Sequence, residues 1–425
     1  MLDVSFIREN RNIVKQAMIN KGEKEPGVVD LLLEADEKWR AQVARVDQLR
    51  SESNTLSKKI GQLMGEGKKE EAQVIIRKTS GAKEEIKTLE EELAKLEEDR
   101  NRLLLQIANI PHESVPVGRT EEDNEVFKIW GDATGIEWHK PHWEVAESHG
   151  WIDFDRGARV TGAGFPFYVG GLARLQRALI NFFIEEAVKA GYTEMQPPYF
   201  VNEESARSTG QIPDKEDMMY VIPRDGFFSI PTAEVPVTNF HRNEILNKSA
   251  LPLYYVAYTP CWRREAGSYG KEVRGLNRLH QFDKVELVKI VHPAQSYDEL
   301  ESLREHAESL LEKLGLSYRT LLMCTGDMGF TQSKKYDIEV WSPGQKRWLE
   351  VSSCSNFESF QARRMMLRFK DKKGKIEMVH TLNGSGLALP RVVASILEAY
   401  QTEDGQVKVP DVLKPYMNSE YLAIG

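Results

Sequence analysis

Four blocks in the C-terminal two-thirds of the chain carry side chains able to handle phosphate, a base and a metal ion. The first is Thr259-Pro260-Cys261-Trp262-Arg263-Arg264-Glu265, followed by a Gly- and Arg-rich stretch, 266–278, and the strand-like Leu279-His280-Gln281-Phe282-Asp283-Lys284-Val285-Glu286. Residues two apart on a strand face the same side, so Arg263 can offer a planar fork to a phosphate while Glu265 accepts from an exocyclic amine. Across a hairpin, Phe282 could stack on a base. The second block, Glu350-Val351-Ser352-Ser353-Cys354-Ser355-Asn356, sets a carboxylate among hydroxyls and could ligate Mg²⁺ beside phosphates. The third, Thr381-Leu382-Asn383-Gly384-Ser385-Gly386-Leu387-Ala388-Leu389-Pro390-Arg391, reads as a glycine-rich turn opening an amphipathic helix, with Arg391 in its first turns. The fourth is Ile230-Pro231-Thr232-Ala233-Glu234. Each alone is a weak signal, and three have a plainer explanation: an exposed cross-strand ion pair for Arg263 and Glu265, a loop before a helix for Asn383–Gly386, a helix cap for Thr232-Ala233-Glu234.

The usual glycine-loop signatures fail. There is no G-x-x-x-x-G-K-[ST], and Gly162-Ala163-Gly164-Phe165-Pro166-Phe167-Tyr168-Val169-Gly170 misses the third glycine of a dinucleotide fingerprint. A nucleotide bound here must therefore be held by side chains. His139-x-x-His142 with His149 has loose metal-ligand spacing, but Trp138, Pro141 and Trp143 beside it point to packing. Cys261 and Cys354 flank the blocks without a positioned base, so neither reads as a catalytic thiol.

These blocks need a scaffold, and its pattern is mixed. Short β-rich runs (253–258, 284–291, 336–341) alternate irregularly with amphipathic helices at 172–189 and 297–314, which favours an α+β domain around an antiparallel sheet over a doubly wound one. Ahead of it, two heptad runs stand out. Leu32, Ala35, Trp39, Val43, Val46, Leu49, Ser53, Leu56, Ile60 and Leu63 form one; Ala72, Ile75, Thr79, Ala82, Ile86, Leu89, Leu93, Leu96, Arg100, Leu103 and Ile107 form the other. The three glycines of 61–69 lie between them, so an antiparallel helical hairpin is expected, on the order of 50 Å long. Arg100 in the seam reads as a snorkelling or register residue. Residues 2–21 read as one short helix capped by Asp3, and the proline-containing stretch 110–124 as a linker. The expected domains are 1–110, a helical arm; 111–125, a linker; and 126–425, the domain that carries the four blocks.

Of 425 residues, 41% are hydrophobic and 29% charged, enough for a sizeable core and against wholesale disorder. No run has the eighteen-odd apolar residues of a membrane span, the first residues lack a signal-peptide pattern, and three cysteines make no framework, so a cytoplasmic protein is expected. A net charge of −8 argues against a surface that grips nucleic acid all over, but leaves room for a local basic stripe.

Taken in order, the blocks resemble the three signature motifs of the class II aminoacyl-tRNA synthetases, and with the N-terminal hairpin the whole chain resembles the bacterial-type seryl-tRNA synthetases. Motif one would be the helix 172–190 running into Gly191–Pro198, with Pro198 at a dimer interface; motif two runs from Arg263 to Phe282, and motif three from Gly384 to Arg391. Gly164-Phe165-Pro166 departs from the Arg-Phe common in the family. The resemblance implies a homodimeric enzyme that joins L-serine to tRNA(Ser) through a seryl-adenylate, using ATP and Mg²⁺. Whether tRNA(Sec) is also an acceptor stays open.

It also implies roles. Arg263, Glu350 and Arg391 would be catalytic, Arg263 spanning the serine carboxylate and the α-phosphate. Arg264, Glu265, Leu279, Phe282, Val351, Ser352 and Ser353 would complete the ATP site, Phe282 and Arg391 sandwiching the base or Arg391 holding the γ-phosphate, with Mg²⁺ on Glu350 and Ser353. Thr232, Ala233, Glu234, Glu286, Asn383 and Ser385 would surround serine. Lys271, Arg274 and Arg278 are candidates for the tRNA acceptor end, and the helical arm would hold the tRNA by shape and phosphate contacts. A carrier-protein amino acid ligase and a non-catalytic RNA-binding paralogue are the rival readings. The first is expected to lack the arm, the second to have lost Arg263, Glu286, Glu350 or Arg391.

Overall fold

The computed structural model describes residues 1–135, 137–214, 217–265 and 274–423, without the side chains of 77–81 and 83. It divides into two compact units, Met1–Ile19 with Glu23–Ala108, and Asn20–Gly22 with Asn109–Gly425.

In the first unit Asp3 accepts from the backbone N–H of Ser5 and Phe6 and starts a helix, as its sequence position suggests. That helix is not continuous to Lys21: it stops at Glu9, and a second runs Arg11–Asn20. Asn10 breaks it because its side-chain amide and its own N–H both turn back to the carbonyl of Phe6. Two long helices follow, Val28–Gly65 and Lys69–Leu104, packed on each other. Their described heptad positions are the less exposed ones on each helix, while the remaining faces are polar and solvated. The turn is tighter than the glycine run suggested, since Gly61 and Gly65 stay helical and only Glu66–Lys68 connect the limbs. Gly67 adopts φ +80, and the N–H groups of Gly67 and Lys68 bond to the carbonyls of Met64 and Leu63, closing the helix end.

One buried carboxylate ties this unit together. Asp36, 1% exposed, accepts from Arg8, Arg40 and, across the hairpin, Arg100 at 2.8 Å. The Arg100 guanidinium also lies 4.6 Å from the centre of the Trp39 ring. Arg100 is thus a register residue, pairing one limb with one height on the other.

The second unit is built on an eight-stranded sheet. In chain order its strands are β1 (Glu125–Trp130), β2 (Thr193–Glu194), β3 (Leu253–Trp262), β4 (Gln281–Val291), β5 (Tyr318–Leu322), β6 (Lys334–Ser342), β7 (Arg347–Asn356) and β8 (His380–Ala388). Their spatial order is β1-β5-β6-β7-β8-β4-β3-β2, antiparallel throughout except for β2 along β3 at one edge.

Alternation along the strands sorts the two faces. Val256, Val285 and Leu287 join a core with the helices Gly170–Lys189, Ser296–Lys313 and Leu389–Ala399. Tyr255, Ala257, Val288 and Ile290 point the other way, against Ala233, Val237 and the Phe360–Met365 helix. On β4, Phe282, Lys284 and Glu286 fall on this second face. Among the described residues, no helix is long and apolar enough to cross a membrane.

Candidate active site

The second face of the sheet forms the floor of a cavity of about 460 Å³. Strand alternation supplies residues two apart: Phe282, Lys284 and Glu286 from β4, Ser353 and Ser355 from β7, Asn383 and Ser385 from β8, while a register irregularity at Val351, itself part of the first-face core, breaks the alternation on β7 before Glu350. Register brings β4 and β8 together, Glu286 opposite Ser385 and Val288 opposite Asn383. Thr232 and Glu234 come from the start of the short helix Glu234–Thr238, and Arg391 from the first turn of Leu389–Ala399.

Two local expectations change. Asn383–Gly386 is not a turn but part of β8. The glycines serve close packing: a Cβ at Gly384 would lie 2.9 Å from the Cys354 sulfur, so the strand sits against its neighbour only without one. Arg263 and Glu265 do not lie on a strand, because β3 ends at Trp262 and Glu265 takes φ +50. Arg263 is held by its N–H to the His280 carbonyl (2.9 Å), by Nε to the Pro231 carbonyl (3.3 Å), and over the Phe282 ring at 5.2 Å. Glu265 is ion-paired to Arg278.

At one end of the cavity stand two buried carboxylates. Glu286 is paired with Lys284 at 2.7 Å and accepts from the Asn383 amide at 3.0 Å. Glu234 accepts from Gln361 at 2.6 Å, and Gln361 in turn accepts from Thr381. Burial first, and then the neighbouring Glu286 charge, push the Glu234 carboxyl up to about 7. Thr232 accepts from the N–H of Glu234, 3.2 Å, while lining the cavity; it does not cap the helix, whose N-cap position is Ala233 and carries no side-chain cap bond. Ser385 receives at its carbonyl a bond from the Ser352 hydroxyl, 2.7 Å.

At the other end Arg391 donates to the carbonyls of Asn277 (3.1 Å) and Glu350 (2.6 Å), with its guanidinium 3.9 Å from the Glu350 carboxylate. Burial opposes ionisation of Glu350, but Lys335, Arg391, Arg263 and Lys284 together hold it below the usual carboxylate range. Asp337 lies opposite Ser353 in the β6–β7 register and is ion-paired with Lys335 at 2.9 Å. Burial, opposed by Lys335 and reinforced by Glu350, raises Asp337 to about 7.

The cavity thus gathers Arg263, Glu265, Arg278, Leu279, Phe282, Glu286, Glu350, Val351, Ser352, Ser353, Asn383, Ser385, Arg391, Thr232 and Glu234. Three expected residues stand apart from its lining. Ala233 packs under it against Val237 and Tyr255. Arg264 turns to Asp217 at 2.9 Å, and Arg274 lies over Trp143 in a separate cleft. Lys271 lies outside the described residues. Lys284, Asn277 and Gln361 went unassigned in the sequence. Lys284 was findable, two residues before Glu286 on a strand; Asn277 and Gln361 carry no local signal. Phe165, at the Gly164-Phe165-Pro166 departure, stacks on His280 with ring centres 5.5 Å apart. The three histidines do not converge as ligands: His142 bonds Glu398, His149 stacks on Trp151 and His139 sits edge-on to Trp138. Cys261 and Cys354 are buried, and burial pushes both thiols up.

Residues 1–111 match the profile of the seryl-tRNA synthetase N-terminal domain, and residues 222–400 that of the tRNA synthetase class II core domain (G, H, P, S and T). The chain is 57% identical over 418 residues to the serine–tRNA ligase of Salinibacter ruber, covering 98% of both, and 50% identical over 420 residues to that of Geobacter sulfurreducens, again covering 98% of both. Among solved structures it is similar to the seryl-tRNA synthetase of Pyrococcus horikoshii complexed with ATP, with a TM-score of 0.93, 36% identity and full coverage of both chains. It is also similar to the cytoplasmic serine–tRNA ligase of Naegleria fowleri in complex with AMP, with a TM-score of 0.87, 29% identity and coverage of 100% and 99%.

Proposed function

Since the chain belongs to the seryl-tRNA synthetase family, we propose that the cavity on the second face of its sheet is where serine is activated. The enzyme is a serine–tRNA ligase: it joins serine to ATP as seryl-adenylate and passes the seryl group to the terminal ribose hydroxyl of tRNA.

The observation that carries the assignment is one cavity lined at one end by the buried carboxylates Glu234 and Glu286 and at the other by Arg391 and Glu350, with the Arg263 charge felt by both Glu234 and Glu350. In the first step the nucleophile is the serine carboxylate, already an anion, so the site needs cations and alignment rather than a general base. Arg263, pinned at its N–H, its Nε and its flat face, is preorganised to span that carboxylate and the α-phosphate without reorienting. Phe282 takes the adenine ring, Glu265 accepts from its amine, and Leu279 lines the same wall. Arg391 holds the base or the γ-phosphate.

Glu350 and Ser353 offer hard oxygen donors, with Val351 and Ser352 of the same strand lining the wall, and Asp337 beside them has a buried Oδ1 without a hydrogen-bond partner. This donor set fits Mg²⁺, which when bound would neutralise phosphate charge. The Glu234–Glu286 end receives the serine ammonium and hydroxyl, with Thr232, Asn383 and Ser385 around them and Ala233 packed beneath.

The remaining reading is modular. Residues 1–110 form the tRNA-binding arm, 111–125 the linker and 126–425 the catalytic domain of a cytoplasmic homodimer, with tRNA(Ser) as acceptor and tRNA(Sec) as a second one to be tried. Arg278, and Arg274 on its Trp143 shelf, meet the acceptor end. Serine-dependent ATP–pyrophosphate exchange, run against alanine, threonine and glycine and followed by charging of each tRNA, tests this. Exchange driven equally by alanine would overturn it.

A further inference from the structure

The wall of the cavity nearest Arg391 is fastened from behind by a buried network outside the residues assigned above. Its centre is Glu398, fully buried on the same helix as Arg391. Its carboxylate accepts from the backbone N–H and Nδ1 of His142 (2.9 Å each), from Gln345 (3.0 Å), from the Gly344 N–H (3.0 Å) and from Ser342. Burial alone would raise this carboxyl, yet these donors hold it below its ordinary range, so it stays an acceptor.

His142 passes the order on. Its Nε2 accepts from the Leu276 N–H at 2.9 Å, which places the ring proton on Nδ1 toward Glu398. Gln345 receives the Asn277 side-chain amide at 2.8 Å. Leu276 and Asn277 both line the cavity, and the Asn277 carbonyl accepts from Arg391 Nε. The bonds close a ring: the segment Leu276–Asn277 is pinned to one helix at Glu398 and at Arg391, seven residues or about 10 Å apart. Gly275 lets the segment approach, since a Cβ there would lie 2.3 Å from His142 Nε2.

We infer that His142, Glu398 and Gln345 are positioning residues for the ATP end of the site: they set Leu276 and Asn277, and through the Asn277 carbonyl they aim the Arg391 guanidinium. The inference rests on the assignment of Arg391 to ATP given above.

The full chain is compared with His142→Asn, His142→Gln, Arg391→Ala and the His142→Asn, Arg391→Ala double variant, in pyrophosphate exchange and thermal melting. A glutamine reaches the Nε2 position and keeps an acceptor for Leu276; an asparagine reaches only Nδ1 and leaves that buried N–H unpaired. His142→Asn is expected to raise the KM for ATP about 10-fold with the KM for serine within about twofold of the parent. His142→Gln recovers most of the loss. In the Arg391→Ala background, His142→Asn adds less than about twofold, because both act through one group.

Equal impairment of the two His142 variants overturns the relay, as does a parallel rise in the KM for serine or losses that multiply in the double variant. Parental kinetics in Arg391→Ala would instead refute the assignment of Arg391 on which the relay depends; parental kinetics in His142→Asn, with Arg391→Ala impaired, refute the relay alone.

Discussion

Glu234 turns the serine end of the cavity into a measurable titration. Its carboxyl is 6% exposed, faces the Glu286 carboxylate, and titrates at about 7 in the folded chain against an ordinary value of 4.5. The sign follows from proton binding. Between 4.5 and about 7 the folded chain holds a proton that the unfolded chain has lost, so the stability this group contributes is fully present below 4.5, falls as pH rises through that window and is lost above about 7. Serine binding runs the other way, because its ammonium favours the ionised carboxylate. If only the anion binds serine, the apparent KM is multiplied by 1 + 10^(7−pH), about 1.1 at pH 8 and about 11 at pH 6, a rise of roughly tenfold.

Glu234→Gln keeps an oxygen acceptor for the Gln361 amide and removes the charge. It is expected to raise the KM for serine roughly 10- to 100-fold at pH 8, the value of one hydrogen bond to a charged group, and to abolish the slope. Pyrophosphate exchange at fixed saturating ATP, with serine titrated from pH 6 to 8, reads both effects. A flat serine KM in the parent, or a slope that survives in Glu234→Gln, refutes the reasoning.

Three further outcomes are expected. Ser385→Ala should weaken the preference for serine over alanine by about tenfold or more while leaving the KM for ATP unchanged, since a site built to pair a hydroxyl loses its partner; equal losses in both would remove Ser385 from the serine pocket. Replacing Glu34–Gln106 with a short linker should leave adenylate formation largely intact and abolish tRNA charging, and loss of both in exchange and charging assays would sink the modular reading. Asp36→Asn should loosen the helical arm by about 1–3 kcal/mol, seen as faster hydrogen exchange in Val28–Gly65. Burial opposes the Asp36 charge, but Arg100 and Arg40 hold its pKa below 3.8, so its contribution is present above that pH and is lost as pH falls through the folded value. Equal protection in parent and variant at pH 7 would leave the arm without this hub.

The sequence was most legible where a pattern is local and repeated. The two long helices could be read from heptads because a two-helix hairpin buries one seam, and Asp3 from its place before an apolar helix. Its errors were also local. Asn10 splits a helix through a side-chain bond that periodicity does not register, and Gly61 and Gly65 stay helical because one left-handed residue, Gly67, is enough for the turn. Gly384 and Gly386 suggested a loop, yet both belong to a strand, and at Gly384 a Cβ would lie 2.9 Å from the Cys354 sulfur of the neighbouring strand.

Residue types and spacing made Arg263, Glu350 and Arg391 candidates for phosphate and metal chemistry, but only the resemblance to the seryl-tRNA synthetases gave them, and Glu286, their roles. The tertiary structure alone decided which of them share a space and in what state. Register sets Glu286 opposite Ser385 and Asp337 opposite Ser353. Burial beside a like charge moves Glu234 toward neutrality, and Glu398, 256 residues from His142 in sequence, fastens the wall that holds Arg391. Such facts depend on which distant strands and helices pack together and on how much water they exclude, quantities that no stretch of sequence carries by itself.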